Sequence, residues 1–204
     1  MTKTAKPSAK TYARPVAIPV ETRVPFSFVH INKCGGSSIE IALGIGKAHR
    51  TAASMRAEIG AEAWAERFTF AVVRNPFARA VSVYFYRVRT DQRGLGDRHL
   101  NVNAWVEKVW GEKDPAYGED ASILTAPSYD WVSDGTGLIV DRIARLETLA
   151  EDWRPIAETL GVNPVMARTN WNMHPPYRDL LAPSARAVLE QAFARDLEHF
   201  DYAF

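Results

Sequence analysis

Short apolar runs alternate along the chain with longer segments in which apolar residues recur at helical spacing. The runs at residues 26–31 and 68–73 are rich in aromatic and β-branched side chains, a composition typical of buried parallel strands. Residues 138–146 predict a third strand. Strands separated by helical segments predict a three-layer α/β/α fold around a central parallel sheet.

Six segments have the spacing of helices. One begins at Asn75 and Pro76, since proline is favoured at the first helical position. The others are residues 36–45, 51–67 with a possible break at Gly60, 103–110, 147–160 closed by Gly161, and 183–199. Residues 89–99, 114–137 and 163–182 are predicted to be loops or connections, and the long segment 114–137 is a candidate for carrying function.

Composition limits the class of protein. The chain has 204 residues, of which 47% are hydrophobic, and a net charge of +1, so one globular domain is expected and a broad nucleic-acid surface is not. Residues 1–24 carry five basic side chains and one acid and are predicted to be a flexible arm before a domain at residues 25–204. The single cysteine excludes an intrachain disulfide, no apolar stretch is long enough to span a membrane, and no secretory signal is visible.

The turn after the first strand has the composition of a phosphate cradle. Lys33 is followed by Cys34, two glycines and two serines, and then by a helical pattern. Loop amides and a helix N-terminus point at a bound anion, the lysine adds a full charge, and glycines allow close approach. A tight strand-to-helix turn with an incidental lysine is the alternative. The order is not that of a Walker A loop, in which lysine follows the second glycine.

A second candidate for anion binding follows the second strand. Arg74 leaves the carboxyl end of that strand, where α/β sheets bind ligands, and Ser82 lies two turns into the next helix. Arginine binds phosphate with a planar fork and a serine hydroxyl adds a hydrogen bond. For Arg74 taken alone, the alternative is a surface salt bridge. For Ser82 taken alone, it is a serine on the face of a helix without a ligand.

The first loop resembles that of the sulfotransferases that use 3′-phosphoadenosine 5′-phosphosulfate (PAPS). In the carbohydrate sulfotransferase branch the loop usually reads F-x-H-I-P-K-T-G-G-T-S, and residues 28–38 match it with Asn32 for the proline, Cys34 for the first threonine and Ser37 for the second. The segment from Arg74 to Ser82 matches the family's R-[DN]-P-x-x-R-x-x-S pattern. Residues 145–152 and the C-terminal region, from Asn170 to Phe200, are also similar to the family.

The resemblance implies a P-loop-like fold and a set of donor-binding residues. It assigns the 3′-phosphate to Arg74 and Ser82, and the 5′-phosphosulfate to Lys33, Cys34, Gly35, Gly36, Ser37 and Ser38. It implies PAPS as co-substrate, no metal, and a hydroxyl acceptor such as a carbohydrate or glycolipid. Animal members carry a membrane anchor before the catalytic domain, so its absence here predicts a soluble, cytoplasmic enzyme.

The catalytic assignment rests on Lys33 and His49. In related sulfotransferases a histidine between the two motifs lies near the acceptor, and imidazole can accept a hydroxyl proton near neutral pH. A surface histidine is the alternative for His49, and Glu58, Glu62 and His99 are the other candidate bases. Tyr129 and Trp131 are candidates for ligand contact, and the Arg145–Glu147–Asp152 segment is predicted to form a structural ion pair.

Two further expectations concern alternatives and reactivity. Cys34, beside Lys33 and a helix N-terminus, is expected to favour the thiolate and to react with alkylating agents. The competing functions are a nucleotide-binding protein without transferase activity and a P-loop-type kinase, which would need ATP and magnesium.

Overall fold

A computed structural model describes residues 20–90, 100–118, 125–165 and 174–204. Within these ranges, three strands form a parallel sheet in the order β1-β2-β3, with bounds Phe26–Val29, Phe68–Val73 and Arg142–Arg145. Phe28 lies opposite Phe70 in the first pair, and Phe70 opposite Arg142 in the second. The protein is therefore a mixed α/β fold built on a small parallel sheet, as the alternating pattern predicts.

Helices occupy most of the described chain outside the sheet. They are numbered in chain order as α1 Gly36–Leu43, α2 Ala52–Ile59, α3 Ala61–Ala65, α4 Pro76–Arg89, α5 Val102–Val106, α6 Pro115–Gly118, α7 Ser128–Val132, α8 Leu149–Leu160, α9 Tyr177–Leu180, α10 Pro183–Ala192 and α11 Ala194–His199. A π-helical turn at Glu107–Gly111 continues α5, and a 3₁₀ turn at Leu146–Thr148 precedes α8. None of the described helices has the length and apolar character needed to cross a membrane.

The third strand is shorter than the apolar run that predicts it. Leu138 forms an isolated antiparallel bridge with Ser133, and parallel pairing begins only at Arg142. Asp141 stands between them, where its carboxylate accepts hydrogen bonds from the amide and hydroxyl of Thr69, at 2.7 and 2.8 Å. The first half of the predicted strand is therefore a connection that is tied to the start of β2 by a side chain.

Two predicted helices are each divided. Gly60, with φ at +89°, separates α2 from α3, a backbone conformation that glycine adopts without strain. Phe193, with φ at −111°, separates α10 from α11, and its ring is buried. The break at Gly60 is the one that the sequence indicates, whereas the helical periodicity of residues 183–199 does not reveal the break at Phe193.

The described part of the chain packs around two hydrophobic clusters. One surrounds the sheet, where β2 is buried from Thr69 to Val73 although successive side chains point to opposite faces. The other joins α4, α5 and α10 through residues such as Phe77, Trp105 and Leu189, and it includes Leu181 and Phe193 from the connections on either side of α10. Because α4 starts directly after β2, its first turn lies where the sheet meets the helical cluster.

Candidate functional site

The segment between β1 and α1 has the backbone of an anion-binding turn. Lys33 and Gly35 both have left-handed φ, at +63° and +81°. A lysine rarely adopts this conformation, so the surrounding contacts must enforce it. Gly35 is the N-cap of α1 and offers no side-chain acceptor, and the first turn, which includes Ser37 and Ser38, contains no acid. The partial positive charge of this helix end is therefore not neutralised from within the helix.

The two glycines are also required for packing. A β-carbon on Gly36 would lie 2.1–2.2 Å from the imidazole of His30, and one on Gly35 would lie 2.6 Å from a methyl of Leu146. Sequence reasoning attributes these glycines to close approach of a phosphate. In the structure they also let the loop fold against its own strand and against the turn before α8.

The two predicted anion-binding motifs meet in space. Arg74 follows β2 directly, and its guanidinium donates from Nη1 to the carbonyl of Lys33 at 3.2 Å. Arg74 is 7% exposed, and Ser82, on the same helix–loop unit, is 5% exposed. This contact joins residues 41 positions apart, as expected for the carboxyl ends of neighbouring parallel strands.

Lys33 lies in a concentration of positive charge. Burial and, after it, the charges of Arg89, Arg74 and Lys47 in that order together lower the pKa of its ammonium from 10.5 to about 8. Its Nζ is 4.5 Å from the centre of the Tyr86 ring. Within the part of the chain that the structure describes, Lys33, Arg74 and Arg89 form no ion pair with an acid. A bound polyanion would relieve this repulsion.

Cys34 does not have the environment expected from the sequence. Its side chain is 1% exposed and belongs to the core around the sheet. Burial raises the pKa of its thiol to about 11, although the Arg79 and Arg74 charges act in the opposite direction. The prediction of a reactive thiolate is therefore wrong, because desolvation outweighs the nearby positive charges. The side chain packs inward, and only the Cys34 backbone remains a candidate for contact with a ligand.

Arg79, the second arginine of the α4 motif, binds the loop rather than facing the ligand side. Its Nη2 donates to Asn32 Oδ1 at 2.6 Å and its Nε to the Asn32 carbonyl at 3.2 Å. Its Nη1 donates to the carbonyl of Ala126 at 2.7 Å. The side chain is 1% exposed, so these contacts replace its water shell. Asn32, the residue that departs from the usual proline, is thus an acceptor for a buried guanidinium.

His49 lies against the same loop. Its Nδ1 is 2.9 Å from the backbone carbonyl of His30, three residues before Lys33. A carbonyl only accepts hydrogen bonds, so Nδ1 must carry the proton and the basic nitrogen of the neutral ring is Nε2. The ring is half-buried, 4.4 Å between centroids from His30 and 6.2 Å from Trp131. His49 is therefore a positioned imidazole, and the alternative of a loose surface histidine does not describe it.

A buried carboxylate stands behind these histidines. Glu40 Oε1 is 2.6 Å from His30 Nδ1, and both side chains are 5–6% exposed. The sequence predicts that His30, within the first apolar run, is a packed or hydrogen-bonded histidine, and it does not single out Glu40. A signal was present, since Glu40 falls on the same face of α1 as Ile39 and Leu43, which are core residues. An acid on an apolar helix face requires a buried partner.

The other predicted residues lie elsewhere. Glu58 and Glu62 are both exposed, and Glu58 forms an ion pair with Arg50. His99, Asn170 and most of the predicted N-terminal arm fall outside the described residues. Trp131 is fully buried in the core and cannot stack on a ligand, and Tyr129 stacks on His199 at 4.2 Å.

The segment at residues 145–152 has a structural role. It fulfils this role through hydrogen bonds and not through the ion pair expected from the sequence. Asp152 accepts from the Arg145 amide at 2.7 Å, and Glu147 accepts from the Asn75 amide at 2.8 Å. The Arg145 guanidinium donates to the Phe200 carbonyl instead. Glu147 thereby holds the start of α4, next to Arg74. Within the described ranges, no group of three or more His, Cys, Asp or Glu side chains is placed to hold a metal ion.

Comparison with known families accounts for nearly the whole chain. The model of the sulfotransferase family Sulfotransfer_2 matches residues 18–203. No curated protein and no solved structure matches the chain. The matched range contains both anion-binding motifs, His49 and the C-terminal region.

Proposed function

Because the chain belongs to this sulfotransferase family, we propose that it transfers a sulfuryl group from PAPS to a hydroxyl acceptor, within a three-layer, P-loop-like domain at residues 25–204. The observation that carries the proposal is the contact between Arg74 and the Lys33 carbonyl. It brings two cationic motifs together at one end of the sheet, and PAPS has two anionic ends on one nucleotide. A donor with a single anionic group would bind only one of the two motifs.

The donor would occupy both motifs at once. Lys33, the amides of Gly35, Gly36 and Ser37, and the hydroxyls of Ser37 and Ser38 would bind the 5′-phosphosulfate. Arg74 and Ser82 would bind the 3′-phosphate, and their low exposure supports strong interactions because water competes little. Lys33, with its pKa lowered to about 8, would regain a fully stabilised charge beside the anion.

Transfer would proceed by in-line displacement at sulfur. The acceptor oxygen forms a bond to sulfur while the bond from sulfur to the 5′-phosphate oxygen breaks, and 3′-phosphoadenosine 5′-phosphate leaves. Lys33 stabilises the negative charge that develops on the departing oxygen. His49 Nε2 takes the proton of the acceptor hydroxyl, since its Nδ1 is already bonded to the His30 carbonyl.

The acceptor is proposed to be a carbohydrate or glycolipid, following the branch that the loop resembles. The test is an assay with PAPS labelled in its sulfate, a panel of neutral and acidic glycans, and a parallel reaction with ATP and magnesium. Labelled product with PAPS alone supports the proposal. Nucleotide binding without transfer to any acceptor would favour a binding protein, and transfer only from ATP would favour a kinase.

A further inference from the structure

The pair formed by Glu40 and His30 is not used by the proposed reaction, although it adjoins the proposed base. The distance of 2.6 Å between Glu40 Oε1 and His30 Nδ1 is that of a charge-assisted hydrogen bond. Both side chains are 5–6% exposed. A buried carboxylate carries a desolvation cost, and a fold that only needed to fill this space could use apolar residues.

Among the described residues, Gly36, Phe28 and His49 lie against the other sides of the His30 ring. The Cδ2–Nε2 edge of its ring lies so close to Gly36 that a β-carbon there would fall 2.1–2.2 Å from these atoms. The ring also stacks on Phe28, with centroids 5.6 Å apart. Its third neighbour is His49, at 4.4 Å between ring centroids.

His49 therefore meets His30 twice. His49 Nδ1 donates a hydrogen bond to the backbone carbonyl of His30 at 2.9 Å, and the His30 ring limits how the His49 ring can turn. Glu40, on α1, holds the His30 ring in place through its hydrogen bond to His30 Nδ1. The sequence separations are 19 residues from His49 to His30 and 10 from His30 to Glu40.

We propose that Glu40 and His30 are positioning residues, which through their buried carboxylate–imidazole pair keep His49 in one orientation and one tautomer, with Nε2 as the basic nitrogen. This inference rests on the proposed function for its catalytic meaning. Its structural content, a single His49 tautomer that depends on Glu40, does not require transferase activity.

The first measurement is therefore made without turnover. Nitrogen-15 NMR of the full chain, with His49 signals identified by their loss in His49→Ala, should show one neutral His49 tautomer protonated at Nδ1. Glu40→Gln keeps the size and an acceptor oxygen but removes the charge, and His30→Asn keeps a donor for Glu40 but removes the ring. Both variants should give mixed His49 tautomers. An unchanged His49 spectrum in either folded variant would overturn the proposal.

The second measurement is a double-mutant cycle on sulfuryl transfer. Glu40→Gln should lower kcat on the order of 10- to 100-fold, the usual effect of losing a partner that orients a functional imidazole, with donor KM unchanged. In the His49→Ala background the same substitution should have no further effect on kcat. An equal loss in both backgrounds would mean that Glu40 acts only on the fold, and the proposal fails.

The control is Glu66→Gln, an exposed carboxylate on the surface, which should leave both measurements unchanged. If Glu40→Gln does not fold, His30→Asn provides the same NMR comparison and the same cycle. If the wild-type protein shows a single His49 tautomer but transfers nothing, the proposed function fails while the positioning pair stands.

Discussion

Arg79 donates from Nη2 to Asn32 Oδ1 over 2.6 Å, and this contact binds the first anion-binding loop to the helix of the second. The two residues are 47 positions apart and are both less than a tenth exposed. Arg79 also reaches the carbonyl before α7, so one guanidinium joins three segments. The residue that departs from the family's usual proline thus has a structural reason in this chain.

We predict that Asn32→Ala destabilises the protein by about 1.5–3 kcal/mol, because a buried charged donor loses its side-chain acceptor. Urea denaturation followed by tryptophan fluorescence gives the free energy of unfolding. Asn163→Ala, in an exposed turn, is the control and should change the free energy of unfolding by less than about 0.5 kcal/mol. A similar small change in Asn32→Ala would show that the Arg79 contact contributes little.

We expect 3′-phosphoadenosine 5′-phosphate to stabilise the protein much more than AMP does, since the proposed function assigns Arg74 and Ser82 to the 3′-phosphate, which AMP lacks. At about 100 times its dissociation constant the ligand should add roughly 2.7 kcal/mol, measured as a shift in Tm. Ser82→Ala should reduce the shift with the 3′-phosphorylated nucleotide and leave the shift with AMP unchanged. Equal shifts with the two nucleotides in the wild-type protein would contradict the assignment of Arg74 and Ser82.

Lys33 and His49 should both be needed for transfer, for different reasons. Lys33→Ala should weaken nucleotide binding and slow transfer, because Lys33 faces the donor. His49→Ala should leave nucleotide binding nearly intact and reduce kcat about 10²- to 10⁴-fold, the usual contribution of a positioned base. Calorimetric Kd values and steady-state kcat separate the two effects. Full activity in His49→Ala would leave the base unidentified, and Glu58, Glu62 and His99 would then be substituted in turn.

Nucleotide affinity should decrease as the pH rises through about 8, the lowered pKa of Lys33. Binding of the anion favours protonated Lys33, so above this pH each bound nucleotide must also bring a proton, and Kd should weaken by roughly tenfold per pH unit at most. The nucleotide phosphates do not produce this trend, because they are already ionised with a second pKa near about 6. Titration calorimetry from pH 7 to 9.5 measures it, and Lys33→Arg should remove the dependence.

The lowered pKa of Lys33 should make the free energy of unfolding depend on pH in the opposite direction to nucleotide affinity. The pKa is lower in the folded protein than in the unfolded chain, so between about 8 and 10.5 the unfolded chain binds more protons. The contribution of Lys33 to the free energy of unfolding without ligand therefore rises with pH in this window, while nucleotide affinity falls. The changes measured in Lys33→Arg are subtracted from those of the wild-type protein. If the free energy of unfolding and the nucleotide affinity then both fell as the pH rises, Lys33 would not be buried as described.

Cys34 should react slowly with iodoacetamide near neutral pH, because its thiol is 1% exposed and has a pKa raised to about 11. Nucleotide should change the rate only by stabilising the fold. Urea near the unfolding midpoint should accelerate labelling, which mass spectrometry follows at this single cysteine. Fast labelling of the native protein, with protection by nucleotide, would place the thiol in the ligand site instead.

The sequence by itself determined where the two cationic segments lie in the fold. Lys33 and the glycines follow one apolar run and Arg74 follows another, and parallel strands necessarily bring such positions to one edge of a sheet. The match of the family model over residues 18–203 confirms the family resemblance. The donor, the acceptor, the location in the cell and the roles of individual site residues stay predictions.

Only the tertiary structure decided which way each side chain points and what lies behind it. Cys34 and Trp131 are in the core, Arg79 binds Asn32, and Glu40 binds His30, although each of these residues is polar, reactive or aromatic enough to suggest a ligand contact. Local pattern specifies which residues leave a strand or share a helix face. Burial and hydrogen-bond partners depend on segments tens of residues away, and burial by those segments raises the pKa of the Cys34 thiol beside a cationic loop.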